Sequence, residues 1–305
     1  MTRGLVMVIT SSIDETASYI IKTYSNVAEF FRVDVDRFDQ YTFSVTEEDW
    51  QITSSTGTVF GNQVQSIYYR KPMLPDLRMF EPRYHAMIQR DIISLINGIA
   101  DSFPGVVLTK PSVLRKTENK IFQLICAKKY GFQIPQSYIG NSNQVCMDFS
   151  MCESIIKPVS TGKTYGTDGC EIYQTNLFHD FRDDVSLTPV YLQSYVPKAY
   201  EVRVTIIGKD VYPIRIDTQN RIDWRTDYKN HQYSEIPIPN AVVHKCFQLM
   251  EDFSLAFGAF DFIVTPDGQW VFLEVNPNGQ WLWLELSLGL TISEKIIRYL
   301  LRQPK

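Results

Sequence analysis

Apolar and polar positions alternate differently along this chain, and each pattern predicts a kind of element. Gly4 to Thr10 is a short continuous apolar run of the kind a buried strand shows, and Ser11, Ser12 and Asp14 then supply helix-start signals for a segment reaching about Tyr24. Val33 to Phe38, Gln51 to Phe60 and Ile67 to Arg70 read as strands, and Tyr84 to Gly98 as an amphipathic helix. Pro111 interrupts the chain. Beyond it, Thr117 is placed to cap a helix from about Glu118 to Tyr130, with Gly131 just past its end and Ile121, Leu124, Ile125 and Lys128 at helical spacing. Short strands around a glycine-rich loop follow between Phe132 and Tyr195, and strand pairs continue from Val196 to a closing helix at Ser293 to Leu301. The implied organisation is an α/β (α+β) chain in three parts. An N-terminal α/β domain spans residues 1–109, a central mixed-sheet domain joins 110–139 to 196–305, and a small lid subdomain covers 140–195.

Two strand pairs carry candidate chemistry. Phe260 to Asn276 reads FDFIVTPDGQWVFLEVN, two alternating runs around Asp267-Gly268, a strong two-residue hairpin signal. Counting outward from that turn sets Asp261 across from Glu274, with Cβ atoms about 4.5 to 5.5 Å apart. Asn276 shares their face, while Phe260, Phe262, Val264, Val271, Leu273 and Val275 take the other. Facing carboxylates repel unless a cation lies between them, and carboxylate and amide oxygens suit a hard ion such as magnesium. An ordinary solvated hairpin is the alternative. The second pair runs from Tyr200 to Ile207 and back after a turn counted as Gly208, Lys209 and Asp210, which sets Arg215 opposite Arg203 and Ile214 opposite Val204. Two adjoining guanidiniums favour an anion between them, whereas Glu201 and Asp217 could neutralise the ladder instead.

The segment SIIKPVSTGKTYGTDG places Lys157 at the end of an apolar strand, with Gly162, Gly166 and Gly169 after it. It is not a P-loop, because GxxxxGK[ST] needs glycine where the chain has Lys157. A flap whose amides and ammonium group touch phosphates is one reading, and a surface loop with a snorkelling lysine the other.

Composition narrows the classes. Across 305 residues, 44% are hydrophobic and 21% charged, which suits a folded soluble protein of more than one unit. With 34 acidic against 30 basic residues the formal charge is −4, so no global field favours nucleic acid or anionic membrane. Five cysteines form no CxxC pair or zinc spacing and suggest free thiols in a reducing compartment. Leu5 to Ile9 is too short for a signal segment, and no apolar stretch approaches the roughly 20 residues of a membrane span, so a cytoplasmic location is expected. His85, His179, His231 and His244 fit no catalytic triad.

From about residue 110 to the end, these pieces occur in an order that resembles the ATP-grasp superfamily. The resemblance implies that Lys120, beside Asn119, and Lys157 in SIIKP hold ATP. It implies that the hinge Gln193-Ser194-Tyr195-Val196 meets adenine, that Glu201 meets ribose, and that Asp261, Glu274 and Asn276 hold Mg2+. The hinge departs from the family pattern, which often has Glu-Lys or Glu-Tyr there. Arg203 in EVR and Arg225 in DWR resemble the basic residues that meet the γ-phosphate or acyl phosphate. A closer similarity is to the maturases of microviridin-like ribosomal peptides (graspetides), carried by EVNPNGQW running into LWLE and by the DWR run at Asp223 to Arg225. Those enzymes phosphorylate acidic side chains of a precursor peptide, leader plus acidic core, and condense them with Ser or Thr hydroxyls or Lys amines into ω-esters or ω-amides. In them a DxR pattern is associated with engaging the core peptide, which makes Asp223 and Arg225 candidate substrate contacts and puts Arg225 between two roles; separately, Asp223 is a candidate general base only if its loop folds inward. Dimers are common among them. Another carboxylate-amine ligase of the same fold, or a nucleotide-binding module without catalysis, would share the ATP residues.

Overall fold

The computed structural model describes residues 3–160, 163–166, 169–172, 175–179, 184–218, 220, 222 and 231–302. The chain opens as an α/β unit. Strands β1 (Leu5–Thr10), β2 (Glu29–Asp34), β6 (Val64–Tyr69) and β7 (Val106–Leu108) form a parallel sheet in the order β2-β1-β6-β7. Helix α1 (Glu15–Tyr24) links the first two strands, and Asp14 caps it by accepting from Ala17 N at 3.0 Å. A meander of β3 (Thr42–Val45), β4 (Trp50–Ser54) and β5 (Gly57–Phe60) and the long helix α2 (Pro82–Ser102) complete the unit. The strand expected over Val33 to Phe38 is only the end of β2, because a 3-10 turn begins at Val35. The one expected over Gln51 to Phe60 is a hairpin, since Gly57 at φ 142 lets the chain reverse.

Both faces of the parallel sheet are covered, as its continuous apolar run requires. Met7 and Ile9 meet Ile92, Ile96 and Ile99 of α2. Val6 and Val8 meet Ala17 and Ile20 of α1, and Ile292, Ile296 and Leu300 of the last helix.

Helix α3 (Pro111–Thr117) precedes α4 (Lys120–Lys129). The expected cap at Thr117 is corrected: its hydroxyl donates to Val113 O at 2.8 Å inside α3, and Asn119 caps α4 by accepting from Phe122 N at 3.0 Å. The expected apolar stripe is corrected too. Ile121 and Ile125 are exposed, and Gln123, Cys126 and Ala127 form the buried face.

The lid part contains β8 (Ser137–Gly140), α5 (Asn143–Ser150), β9 (Ser154–Lys157), β10 (Lys163–Gly166), β11 (Gly169–Ile172), β12 (Asn176–Phe178) and β13 (Val190–Ser194). Four of the strands make an antiparallel sheet in the order β12-β9-β13-β8, and β10 and β11 pair as a ribbon. The central sheet follows, antiparallel in the order β16-β15-β14-β17-β18. Its strands are β14 (Tyr200–Ile207), β15 (Asp210–Asp217), β16 (Gln232–Glu235), β17 (Phe257–Val264) and β18 (Trp270–Asn276). Helix α6 (Asn240–Asp252), which strand-like reading of this region missed, covers one face with α4, and Phe260, Phe262, Val264 and Phe272 fill the space between. Helices α7 (Leu282–Leu288) and α8 (Ile292–Leu300) end the chain. Among the described residues, no helix is long and apolar enough to cross a membrane.

Candidate functional site

Asp261 and Glu274 stand directly across from each other on β17 and β18. They reach that register by a route different from the one counted in the sequence. The turn is longer: Gly268 N donates to Thr265 O at 2.9 Å, Gly268 adopts φ 82, and Val264 consequently faces Trp270. One residue of offset results. A bulge between Asp261 and Phe262 leaves Leu273 without a partner and restores the pairing of the two acids. The bulge also corrects the expected faces: Phe272 joins the aromatic core, and Val271, paired with Ile263, lies on the side of Asp261.

Asn276 completes a cluster on that side. Its Nδ2 lies 3.3 Å from Asp261 Oδ2 and 3.2 Å from Glu274 Oε1. Arg203, paired with Asp261 in the sheet, brings its Nε to 3.0 Å from Asp261 Oδ1. The two carboxylates and the amide bring hard oxygen donors together. That set fits a magnesium ion after the amide turns its oxygen inward.

Because β18 is the edge of the sheet, its outer main-chain groups need partners. The buried side chain of Gln123 on α4 supplies them at Val275, between the two cluster residues: Nε2 donates to Val275 O at 2.8 Å, and Oε1 accepts from Val275 N at 2.9 Å. Gln133 O accepts from Phe272 N at 2.8 Å further along. Sequence reasoning missed Gln123; a polar residue in phase with Cys126 and Ala127 on a helix face was the available signal.

A pocket beside the cluster brings together Lys120, Lys157, Gln193, Ile134, Leu273 and Glu274. Lys120, the first residue of α4, donates from Nζ to Pro158 O just after β9. Lys157 pairs across the lid sheet with Tyr191, and its Nζ lies 4.4 Å from the centre of that ring. Burial, and secondarily the charge on Glu274, push the Tyr191 phenol up to about 12, so it stays neutral. Gln193 is buried. Its Nε2 donates to Ser137 Oγ at 2.8 Å and to Tyr191 OH at 2.7 Å, whereas its Oε1 has no hydrogen-bond partner among the described residues. A buried acceptor left in this way invites a donor from a ligand.

Tyr195 and Val196 lie half-buried in the link between β13 and β14, where Tyr195 N donates to Glu153 O at 2.8 Å. Glu201 is buried on the same strand face as Arg203 and is ion-paired with Lys198, a partner not foreseen in the sequence. Gly166 ends β10 and faces Gly169. Gly162, Asp223 and Arg225 lie outside the described residues.

The expected partnership of Arg215 with Arg203 is corrected. The turn contains only Gly208, at φ 58, and Lys209, so Asp210 already pairs with Ile207 and the ladder is offset by one residue. Arg203 therefore faces Ile214, while Arg215 faces Val202 on the opposite side of the sheet. There its Nη2 lies 2.6 Å from Asp217 Oδ1, and its guanidinium 4.1 Å from the centre of the Tyr200 ring.

A five-stranded antiparallel sheet with a carboxylate-bearing edge hairpin, faced by a lid sheet that carries a lysine, defines the ATP-grasp class. No protein-family model and no curated protein sequence matches the chain. Solved structures do. The chain is similar to the macrocyclase MdnC of Microcystis aeruginosa MRC, solved with precursor peptide MdnA, at 25% identity and TM-score 0.87 over 97% of this chain and 99% of that one. It is similar to a RiPP-associated ATP-grasp ligase of Chryseobacterium gregarium in complex with ADP and a leader and core peptide, at 23% identity and TM-score 0.86 over 97% and 96%. It also shares the fold of the ATP-grasp ligase PsnB complexed with minimal precursor, Mg and ADP, at 20% identity and TM-score 0.76 over 97% and 96%. The chain is a ligase of the ATP-grasp class, with the architecture of the ribosomal-peptide macrocyclases over nearly its whole length.

Proposed function

We propose that this ligase uses ATP and Mg2+ to activate side-chain carboxylates of a ribosomally made precursor peptide and joins them to Ser or Thr hydroxyls or Lys amines, closing ω-ester or ω-amide rings. The observation that carries the nucleotide part is the pocket in which Lys120, Lys157 and Glu274 converge beside Gln193 Oε1. Gln193 Oε1 accepts from the exocyclic amine of adenine, Ile134 and Leu273 flank the ring, and Glu201 meets the ribose hydroxyls. Lys120 and Lys157 neutralise phosphate oxygens. Asp261, Glu274 and Asn276 would hold the metal, which would supply positive charge to offset that of the phosphates.

In the first step a substrate carboxylate oxygen bonds to the γ-phosphorus, and the bond to the ADP oxygen breaks. Arg203, fixed by Asp261, stands at the cluster to stabilise charge on the oxygens being transferred. In the second step the hydroxyl or amine adds to the acyl carbon, phosphate leaves, and one proton is released. Arg225 either contributes to the same charge or grips an acidic residue of the core peptide. Arg225→Lys separates these roles: loss of ATP hydrolysis with and without peptide supports the first, loss of only the peptide-stimulated part supports the second, and full retention of both removes Arg225 from the site.

A further inference from the structure

A buried guanidinium ties the loop after the carboxylate hairpin to the N-terminal sheet. Arg70 follows β6 and is 1% exposed, and its backbone N donates to Ile9 O at 2.8 Å. Its Nε lies 3.1 Å from Asp14 Oδ2, and its Nη2 donates to Gln280 Oε1. Gln280 Oε1 also accepts from the Thr16 hydroxyl at 3.2 Å. Asp14 is held in turn, since it caps α1 and accepts from the Thr10 hydroxyl at 3.0 Å. Gln280 itself lies at the surface.

The chain between Gln280 and the cluster has little slack. Asn276 is paired with Ala259, and Gly279 N donates back to Asn276 O at 3.2 Å. Gly279 lies so close to β17 that a Cβ there would come within 2.5 Å of the Ala259 Cβ. Trp281, the residue after Gln280, is fully buried. A displacement at Gln280 therefore passes to Asn276. Burying a guanidinium costs several kcal/mol, and apolar packing often stabilises as well. What the planar fork adds is the simultaneous placement of two oxygens, here one on α1 and one on the loop.

We infer that Arg70 is a positioning residue for the cation site: through Gln280 it fixes the turn that presents Asn276 beside Asp261 and Glu274. Cation binding thereby depends on the N-terminal sheet. The inference rests on the cation reading of that cluster.

The test uses the full chain with Gln280→Leu, which removes the acceptor, and Gln280→Glu, which keeps one. Magnesium is titrated by calorimetry into protein saturated with ADP, and metal-free ADP affinity and Tm are measured on the same samples. Gln280→Leu is expected to raise half-saturating magnesium about tenfold, equivalent to about 1.4 kcal/mol. Metal-free ADP affinity should be unchanged, and Gln280→Glu should follow the parent. A folded Gln280→Leu variant that titrates like the parent, or one that loses metal-free ADP affinity equally, overturns the inference. Should Gln280→Leu not fold, Thr16→Val removes the other hydrogen bond to the same oxygen; a smaller rise in half-saturating magnesium supports the inference and no rise overturns it. A parent protein in which magnesium leaves ADP binding untouched overturns the cation reading and this inference together, whereas a normal parent titration matched by the variant overturns the inference alone.

Discussion

Asp261, Glu274 and Asn276 are three oxygen-bearing side chains on one face of a hairpin, and their value as a set depends on all three staying there. Glu274→Gln and Asn276→Ala should each abolish product formation while leaving the fold intact, because they change ligands and not core; unchanged turnover in purified, folded variants would remove them from a metal site. Gln123 acts differently. Replacing it with Leu strands the main-chain N–H and C=O of Val275 at the sheet edge, at about 1 to 3 kcal/mol for each buried group left unpaired. Urea unfolding should accordingly show a loss of about 2 kcal/mol or more, and a variant as stable as the parent would mean that water replaces the side chain. The acids were legible in the sequence because strand alternation separates them cleanly from phenylalanines. Gln123 was not, since Ile121 and Ile125 suggested a helix phase in which it would face solvent.

Elements explain why some residue assignments survived and others did not. In the β17–β18 hairpin a turn one residue longer and a bulge at Leu273 offset each other, so Asp261 still meets Glu274. In the β14–β15 hairpin nothing offsets the shorter turn, and Arg215 moves to the face opposite Arg203. Turn length decides register, and Gly208 at φ 58 and Gly268 at φ 82 allow turns that counting alone does not distinguish. Helices α6, 13 residues long, and α7, of 7 residues, escaped because both lie among strand-like runs. For the lid sheet, Lys157 at the end of β9 should act on the nucleotide and not on the acceptor. Lys157→Ala is expected to weaken ATP binding about tenfold, equivalent to about 1.4 kcal/mol, with peptide affinity unchanged. Calorimetry that finds equal ATP affinity in variant and parent would contradict that role.

At the scale of the molecule, the C-terminal helices join the parts of the chain. Trp281 and the apolar face of α8 pack with Val6, Val8 and Ile20 of the N-terminal unit and with Ile207 and Phe257 of the central sheet. Long-range packing of this kind leaves only a closing amphipathic helix visible in the sequence, which is why the α/β opening and the hairpins were readable but their assembly was not. The arrangement sets the lysine pocket beside the carboxylate cluster, as a carboxylate-activating ligase requires. Condensation of a peptide with itself changes its mass, so mass spectrometry reads the reaction directly. Candidate precursor peptides rich in Glu or Asp and in Ser, Thr or Lys are incubated with the protein, ATP and magnesium. The expected result is loss of about 18 Da, one water, for each ring closed by the phosphoryl-transfer and capture sequence, with no change when ATP or magnesium is left out. Peptides that keep their full mass while ATP is consumed, or that gain the mass of an added amino acid, would exclude ring closure as the reaction.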